Sequence, residues 1–306
     1  MREFYLPSTG GGTLRCGIWE PREAPRAVVQ LVHGIAEHIE RYEEFGSFLA
    51  EKGIVLTADD HMGHGKSVGA GETVGYFPSG WMGAVDDERS LMEQTRERYP
   101  RTPYFLMGHS MGSFLTRTFL CRYADCGLHG AILSGTGWQP QAALWLGLRL
   151  CAAEARKYGE KGRSDVLQRV IFGGYNRKFR PARTPNDWIC TDPAVVDAYC
   201  ADPLCGFQPS IGLVRDMLQG IRWNQRKENL EAMDRVLPVL FLSGERDPVG
   251  GMGRGVRRSA QAFRDAGMRN VTVKLYPNGR HEMLNEPNRE AVFADCLNWI
   301  LDCLNR

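Results

Sequence analysis

Gly108-His109-Ser110-Met111-Gly112 sets a serine between two glycines. It follows the apolar run Tyr104 to Met107 and precedes a segment with helical spacing, Met111 to Tyr123. A G-x-S-x-G at a strand-to-helix turn is the arrangement that exposes a nucleophilic hydroxyl, and small flanking residues let the turn close. A serine hydroxyl is a poor nucleophile at neutral pH. It needs a histidine base, which is oriented in turn by a carboxylate. On such a scaffold the acid and then the histidine follow the serine, each just after a late strand. Asp247, in Ser243-Gly244-Glu245-Arg246-Asp247-Pro248, follows the run Val239 to Leu242. His281, in Pro277-Asn278-Gly279-Arg280-His281-Glu282, follows Val271 to Tyr276. Glu245 competes for the acid's role, but Asp247 ahead of Pro248 sits better in the loop. The expected chemistry is acyl transfer through a Ser110–His281–Asp247 triad, with no cofactor and no metal.

The developing oxyanion needs two backbone N–H donors. One is expected from Met111, the residue after the nucleophile. The other is expected from the loop after the Ala27 to Val32 run, His33-Gly34-Ile35-Ala36-Glu37-His38, with Ile35 as the donor. Asp59-Asp60-His61-Met62-Gly63-His64-Gly65-Lys66-Ser67 lacks the spacing of a phosphate loop and reads as a hydrogen-bonded loop that buttresses the site, not as a metal pair. His109 is expected to shape the elbow, and His129 to lie at a surface or strand edge.

These residues must be held at one edge of a sheet. Phe4 to Trp19 predicts two strands joined by Gly10-Gly11-Gly12. Short apolar runs at Ala27 to Val32, Ile54 to Thr57, Tyr104 to Met107 and Ala131 to Leu133 then alternate with helical segments at Tyr42 to Lys52, Ala84 to Arg98 and Met111 to Tyr123. Runs apolar on both faces and separated by helices signal an α/β fold with a mostly parallel sheet covered on both sides. The alternation lapses between Trp138 and Arg235, a stretch rich in Trp, Arg and Pro that predicts helices and no strand. It resumes with Val239 to Leu242, Val256 to Asp265, Val271 to Tyr276 and Arg289 to Leu304. Three segments follow: a first core part at 1–137, a helical cap or lid at 138–235 and a second core part at 236–306.

The composition narrows the class. With 306 residues, 43% hydrophobic and 24% charged, the chain has the balance of a soluble globular protein. Lys plus Arg number 38 against 36 Asp plus Glu, a net charge of +2 without charge blocks, so no nucleic-acid partner is expected. The start lacks an apolar signal stretch, and the greasy segment Ala142 to Ala153 is interrupted by Arg149 and too short to span a bilayer. Nine cysteines without a C-x-x-C pair are expected to be reduced thiols of a cytoplasmic protein.

On His33 to His38 with Arg41-Tyr42, Asp60 to Ser67, Gly108 to Gly112, Asp247 and His281, the chain resembles α/β-hydrolases of the monoacylglycerol lipase and lysophospholipase group, which classifications place with serine aminopeptidases. The likeness covers essentially the whole chain, and Asp192-Pro193 through Val196-Asp197-Ala198-Tyr199 to Asp202-Pro203-Leu204 resembles the group's cap. It implies an α/β-hydrolase fold with an inserted helical cap and an ester hydrolase acting on small acyl esters of lipid type. The chain departs from the group at Ala36, where glycine is usual, and at Leu284, where a second histidine often stands near the glycerol. By resemblance, Glu37 and Arg41 stand near the base of the site, as substrate contacts or as a structural ion pair. Trp145 and Leu146, in the apolar segment Trp138 to Leu150, are expected to line an acyl tunnel or touch a lipid surface, with packing of cap on core as the alternative. A general carboxylesterase on short or aryl esters, an aminopeptidase or amidase on the same triad, and a non-catalytic binding protein are the competing expectations.

Overall fold

The computed structural model describes residues 1–305; Arg306, the last residue of the segment expected as the second core part, lies outside them. The strands are β1 (Arg2–Pro7), β2 (Thr13–Trp19), β3 (Ala27–Val32), β4 (Ile54–Asp59), β5 (Tyr104–His109), β6 (Gly130–Ser134), β7 (Val239–Gly244) and β8 (Val271–Tyr276). They form one sheet in the order β1-β2-β4-β3-β5-β6-β7-β8. The first hairpin pairs antiparallel and joins β4 antiparallel; every pairing from β4 to β8 is parallel.

Alternation along the strands sets the layers. Val29 and Leu31 of β3 point to the face covered by α1 (Glu43–Glu51) and α10 (Arg289–Leu304), where Phe45, Phe293 and Ile300 meet them. Val28 and Val32 point the other way, to α2 (Gly80–Arg98) and α3 (Met111–Arg122), against Val85, Phe114 and Leu115. Farther along that face Leu133 and Phe241 meet Val256 and Phe263 of α9 (Arg254–Asp265). Each such side chain, fully buried, contributes ~1.5–3 kcal/mol.

The stretch between β6 and β7 holds α4 (Gln141–Tyr158), α5 (Asp165–Ile171), α6 (Pro193–Ala201), α7 (Ile211–Asn224) and α8 (Lys227–Glu231), and no strand among the described residues. Ser164, Asp192 and Ser210 cap the N-termini of α5, α6 and α7 with side-chain acceptors. Although inside the insertion, α7 is bound to the core: Asn224 Nδ2 donates to the Phe114 carbonyl at 2.8 Å, and Thr118 Oγ1 donates to Asn224 Oδ1 at 2.7 Å. No helix among the described residues is long and apolar enough to cross a membrane.

Candidate functional site

The parallel strands end at one edge of the sheet, the edge where α/β sheets place their sites. β5 stops at His109 and α3 starts at Met111, so Ser110 makes the whole turn by itself, at φ 53° and ψ −120°. A non-glycine residue at positive φ stores backbone strain. The strain is tolerated because the turn is tied down on both sides: Ser110 N–H donates to the Ser134 carbonyl at 2.9 Å, and Ser113 Oγ donates to the Ser110 carbonyl at 2.6 Å. Gly112 permits the close approach, since a Cβ there would drive into the Val32 carbonyl oxygen.

Asp247 follows β7 and is fully buried. Its Oδ1 accepts the Val249 N–H at 2.8 Å, and its Oδ2 accepts the Ser243 hydroxyl at 3.2 Å. Oδ1 also lies 3.0 Å from His281 Nδ1, in the loop after β8. Glu245 is exposed. Burial by itself lowers the His281 pKa, but the Asp247 carboxylate, with Glu282 and Glu37 beyond it, outweighs burial and holds the imidazole above its ordinary value. The His281 Nε2, buried and without a hydrogen-bond partner, belongs to a ring that lines the same cavity as Ser110. His109 packs tilted on His281 at 4.8 Å, and burial, reinforced by His281, presses its pKa down to about 4, so it stays neutral.

Met111 stands at the first helical position, where the backbone N–H has no intrahelical acceptor. Gly34 abuts Ser110: a Cβ there would meet Ser110 Cβ at 3.1 Å and Glu37 Oε1 at 2.6 Å. Ile35 follows it at the cavity wall. Ser110, His281, Asp247, Ile35 and Met111 therefore converge, and Ser110, His281, Ile35 and Met111 line one cavity of about 1010 Å³ roofed by α4, α5 and α7.

The remaining sequence expectations divide. Glu37 lines the cavity, but its charge is spoken for: Arg41 Nη1 donates to Glu37 Oε2 at 2.9 Å, and Tyr42 OH donates to Glu37 Oε1 at 2.9 Å. Arg41 also grips Glu282 with two bonds of 2.7 and 2.6 Å, and lies 4.8 Å from the Tyr199 ring centre. The arginine sits behind the wall, a clamp between the loop after β3 and the loop that carries His281. Arg41→Met leaves two buried carboxylates without a cation and is expected to cost about 3–5 kcal/mol of stability, read from denaturant unfolding.

Leu146 lines the cavity mouth, whereas Trp145 does not: it is 52% exposed on the outer face of α4, with the Arg149 guanidinium 5.3 Å from its ring. The buried positions of α4 are Leu144, Gly147 and Cys151, one helical stripe, and Trp145 falls about 100° off it. Leu284 also does not reach the cavity; it is buried with the α1 and α10 side chains on the far face of the sheet.

Two neighbours had no signal in the sequence. Trp188, between β6 and β7, stacks tilted over His281 at 5.0 Å, and Glu282, next to the histidine, closes the Arg41 clamp. The segment that follows Trp188 is laced to the loop that carries His281: Glu282 N–H donates to the Ile189 carbonyl at 2.8 Å, and Arg280 Nη1 to the Cys190 carbonyl at 2.7 Å. Two groups carry ligand-type atoms close together, His38–Asp202–Cys205 and Asp59–His61–Glu88. In the first, His38 Nε2 already pairs with Asp202 Oδ2 at 2.8 Å. In the second, the imidazole lies between two carboxylates.

The profile of the family described as "Serine aminopeptidase, S33" matches residues 23–288. The chain is 30% identical to the monoacylglycerol lipase of Mycolicibacterium smegmatis over 99% of its own length and 98% of that protein. It is 34% identical to the monoglyceride lipase of Mus musculus, over 92% of this chain and 84% of that one. Among solved structures, a thermostable carboxyl esterase from Bacillus coagulans in complex with glycerol superposes with a TM-score of 0.92 at 31% identity, covering 99% of this chain and 98% of the other. An eight-stranded, mostly parallel sheet with a serine at a strained strand-to-helix turn, matched over its length by these proteins, has one classification: the chain has the α/β-hydrolase fold and belongs to the serine aminopeptidase, S33, family of hydrolases, on the branch of its monoacylglycerol lipase relatives.

Proposed function

We propose that this enzyme hydrolyses carboxylic esters of lipid type, monoacylglycerols foremost, through an acyl-enzyme on Ser110. The observation that carries the reading is the convergence of Ser110 and the unpartnered His281 Nε2 on one large cavity. His281 removes the hydroxyl proton as Ser110 attacks the ester carbonyl, and the Ile35 and Met111 N–H groups receive the oxyanion. The imidazolium then protonates the departing alcohol. Water, activated by the same histidine, cleaves the acyl-enzyme and restores the serine. Asp247 holds the histidine tautomer and stabilises the imidazolium.

The cavity argues for a fatty chain. Leu144, Leu150, Ile171, Phe172, Met217 and Leu218 supply an apolar wall under the cap, which we take to be residues 138–235. The carboxylates on the wall, Glu37 and Glu282, are both bound by Arg41, so neither is left to receive a substrate ammonium; this favours ester hydrolysis over the aminopeptidase reading. Leu146 and Val170, 60% and 62% exposed, rim the mouth beside Arg149 and Arg169, a surface suited to transient contact with a lipid interface. Thiols left unlinked from Cys16 through Cys296 favour a reducing compartment, the cytoplasm.

The test is hydrolysis of a 1-monoacylglycerol chain-length series beside short aryl esters and an aminoacyl amide. A rate peak at medium or long chains supports the lipid reading; activity confined to aryl esters replaces it with a general carboxylesterase. Leu146→Glu with Val170→Glu is expected to slow emulsified long-chain esters about tenfold, the worth of one apolar side chain losing its burial, and to leave dissolved short esters unchanged.

A further inference from the structure

Beneath the oxyanion loop lies a buried group of titratable side chains to which the mechanism gives no part: Asp59 at the end of β4, Glu88 on α2, His33 at the end of β3, and His61 and His64 in the loop after β4. Their hydrogen bonds and ion-pair contacts place the protons. The His61 backbone N–H, always a donor, points at His33 Nε2 at 3.0 Å, so that nitrogen must carry a lone pair. His33 is then the neutral tautomer with its proton on Nδ1, and Nδ1–H donates to the Gly34 carbonyl at 2.7 Å. His61 Nε2 meets the His33 carbonyl at 3.0 Å and must be protonated. His61 Nδ1 faces Glu88 Oε1 at 3.3 Å and Asp59 Oδ2 at 3.4 Å, and is protonated as well. The two rings stack at 3.9 Å, an arrangement that suits one cation and one neutral ring.

The Gly34 carbonyl belongs to the same peptide unit as the Ile35 N–H. A trans peptide is planar, so fixing the direction of its carbonyl fixes the direction of its N–H. We propose that His33 is a positioning residue: its Nδ1–H aims the Ile35 N–H into the oxyanion hole, and His61, an imidazolium between Asp59 and Glu88, locks His33 in the required tautomer and place. The inference rests on the Ser110 mechanism above and adds residues that do not touch the substrate. The electrostatics agree with the geometry. Burial, then the charge on His61, pushes the His33 pKa well below the ordinary value. For His61, burial is outweighed by Asp59 and Glu88, and its pKa rises well above the ordinary value. His64 completes the surroundings as a neutral ring, pressed by burial to about 3.

An asparagine amide can stand where the Nδ1–H stands, and alanine cannot. His33→Ala is expected to lower kcat about 10- to 100-fold, part of what a whole oxyanion donor is worth. KM should stay within twofold, and a trifluoromethyl ketone that forms a tetrahedral adduct with Ser110 should lose affinity by the same factor as kcat. His33→Asn should recover most of both losses. In the wild type at pH 7.5, ¹⁵N NMR should show His33 protonated at Nδ1 alone and His61 at both ring nitrogens. This spectrum decides the matter even if the alanine variant does not fold. A His33 protonated at Nε2, an alanine variant that folds and keeps kcat and ketone affinity within twofold, or equal losses in alanine and asparagine variants would each overturn the proposal. If Ser110→Ala is inactive while His33→Ala is unimpaired, this inference fails and the mechanism stands. If Ser110→Ala stays active, the mechanism itself fails.

Discussion

Ser110→Ala is expected to lose about 10⁶-fold in kcat on a monoacylglycerol, the scale seen when a triad nucleophile is removed, and to remain folded. The two halves of the expectation have separate causes. The hydroxyl oxygen is the only heavy atom removed, and in the proposed mechanism it is the one that bonds to the acyl group, so no other side chain at the cavity wall is expected to take its place. The Cβ remains, and so do the backbone bonds from Ser110 N–H to Ser134 and from Ser113 Oγ to the Ser110 carbonyl. The φ of 53° is as uncomfortable for alanine as for serine, so the strain is unchanged. Thermal melting should therefore shift little, and a fluorophosphonate that labels the wild type should leave the variant unlabelled. A folded variant with most of its activity would remove Ser110 from the mechanism.

The second large effect is expected at Asp247. Asp247→Asn keeps the shape of the side chain but takes away the charge 3.0 Å from His281 Nδ1. In comparable triads this change costs about 10⁴-fold in kcat, because the amide favours the wrong histidine tautomer and no longer stabilises the imidazolium. The pH profile should move too. In the wild type Asp247 holds the His281 pKa above the ordinary 6.5, so the acid limb of kcat/KM is expected above that value. With the carboxylate gone, burial dominates, and the acid limb of the residual activity should slide below it. Stability follows the same linkage. Because the folded-state pKa is raised, protonated His281 adds stability that is complete below 6.5 and lost as pH rises through the folded value. The gap in melting temperature between wild type and variant should therefore be wider below pH 6.5 than at alkaline pH. An unchanged pH profile would mean that another carboxylate orients the histidine.

The fold was legible where a local pattern has one physical meaning. Ala27–Val32, Val271–Tyr276 and Arg289–Leu304 have the bounds the sequence predicts, because turn residues punctuate short apolar runs and a helical stripe keeps its period. Strands β4 and β5 run two residues past the predicted ends, through Asp59 and His109, since ladder pairing with β2 and β6 continues through Ala58-Asp59 and Gly108-His109, where the large apolar side chains that mark the run have stopped. Helix α2 begins at Gly80, four residues early, because a glycine and a tryptophan in its first turn do not read as a helix start.

The sequence by itself determined the setting of Ser110. Gly108 to Gly112 between a strand and a helix is a local arrangement, and Asp247 and His281 each follow a strand that the apolar pattern marks. The tertiary structure alone decided what surrounds them. Arg41 and Glu282 are 241 residues apart in the chain and nothing in either segment announces the other. Trp188 reaches His281 only once the stretch between β6 and β7 packs against the loop after β8. Trp145 and Leu146 are adjacent apolar residues on one helix, and only the packing beneath α4 selects which of them faces the cavity. His33 and His61 show the same limit, since their tautomers depend on which backbone groups the loops bring within 3.0 Å. Period and punctuation are encoded within a few neighbouring residues. Which distant loops meet, and which protons their meeting requires, is fixed only when the sheet closes and buries them together.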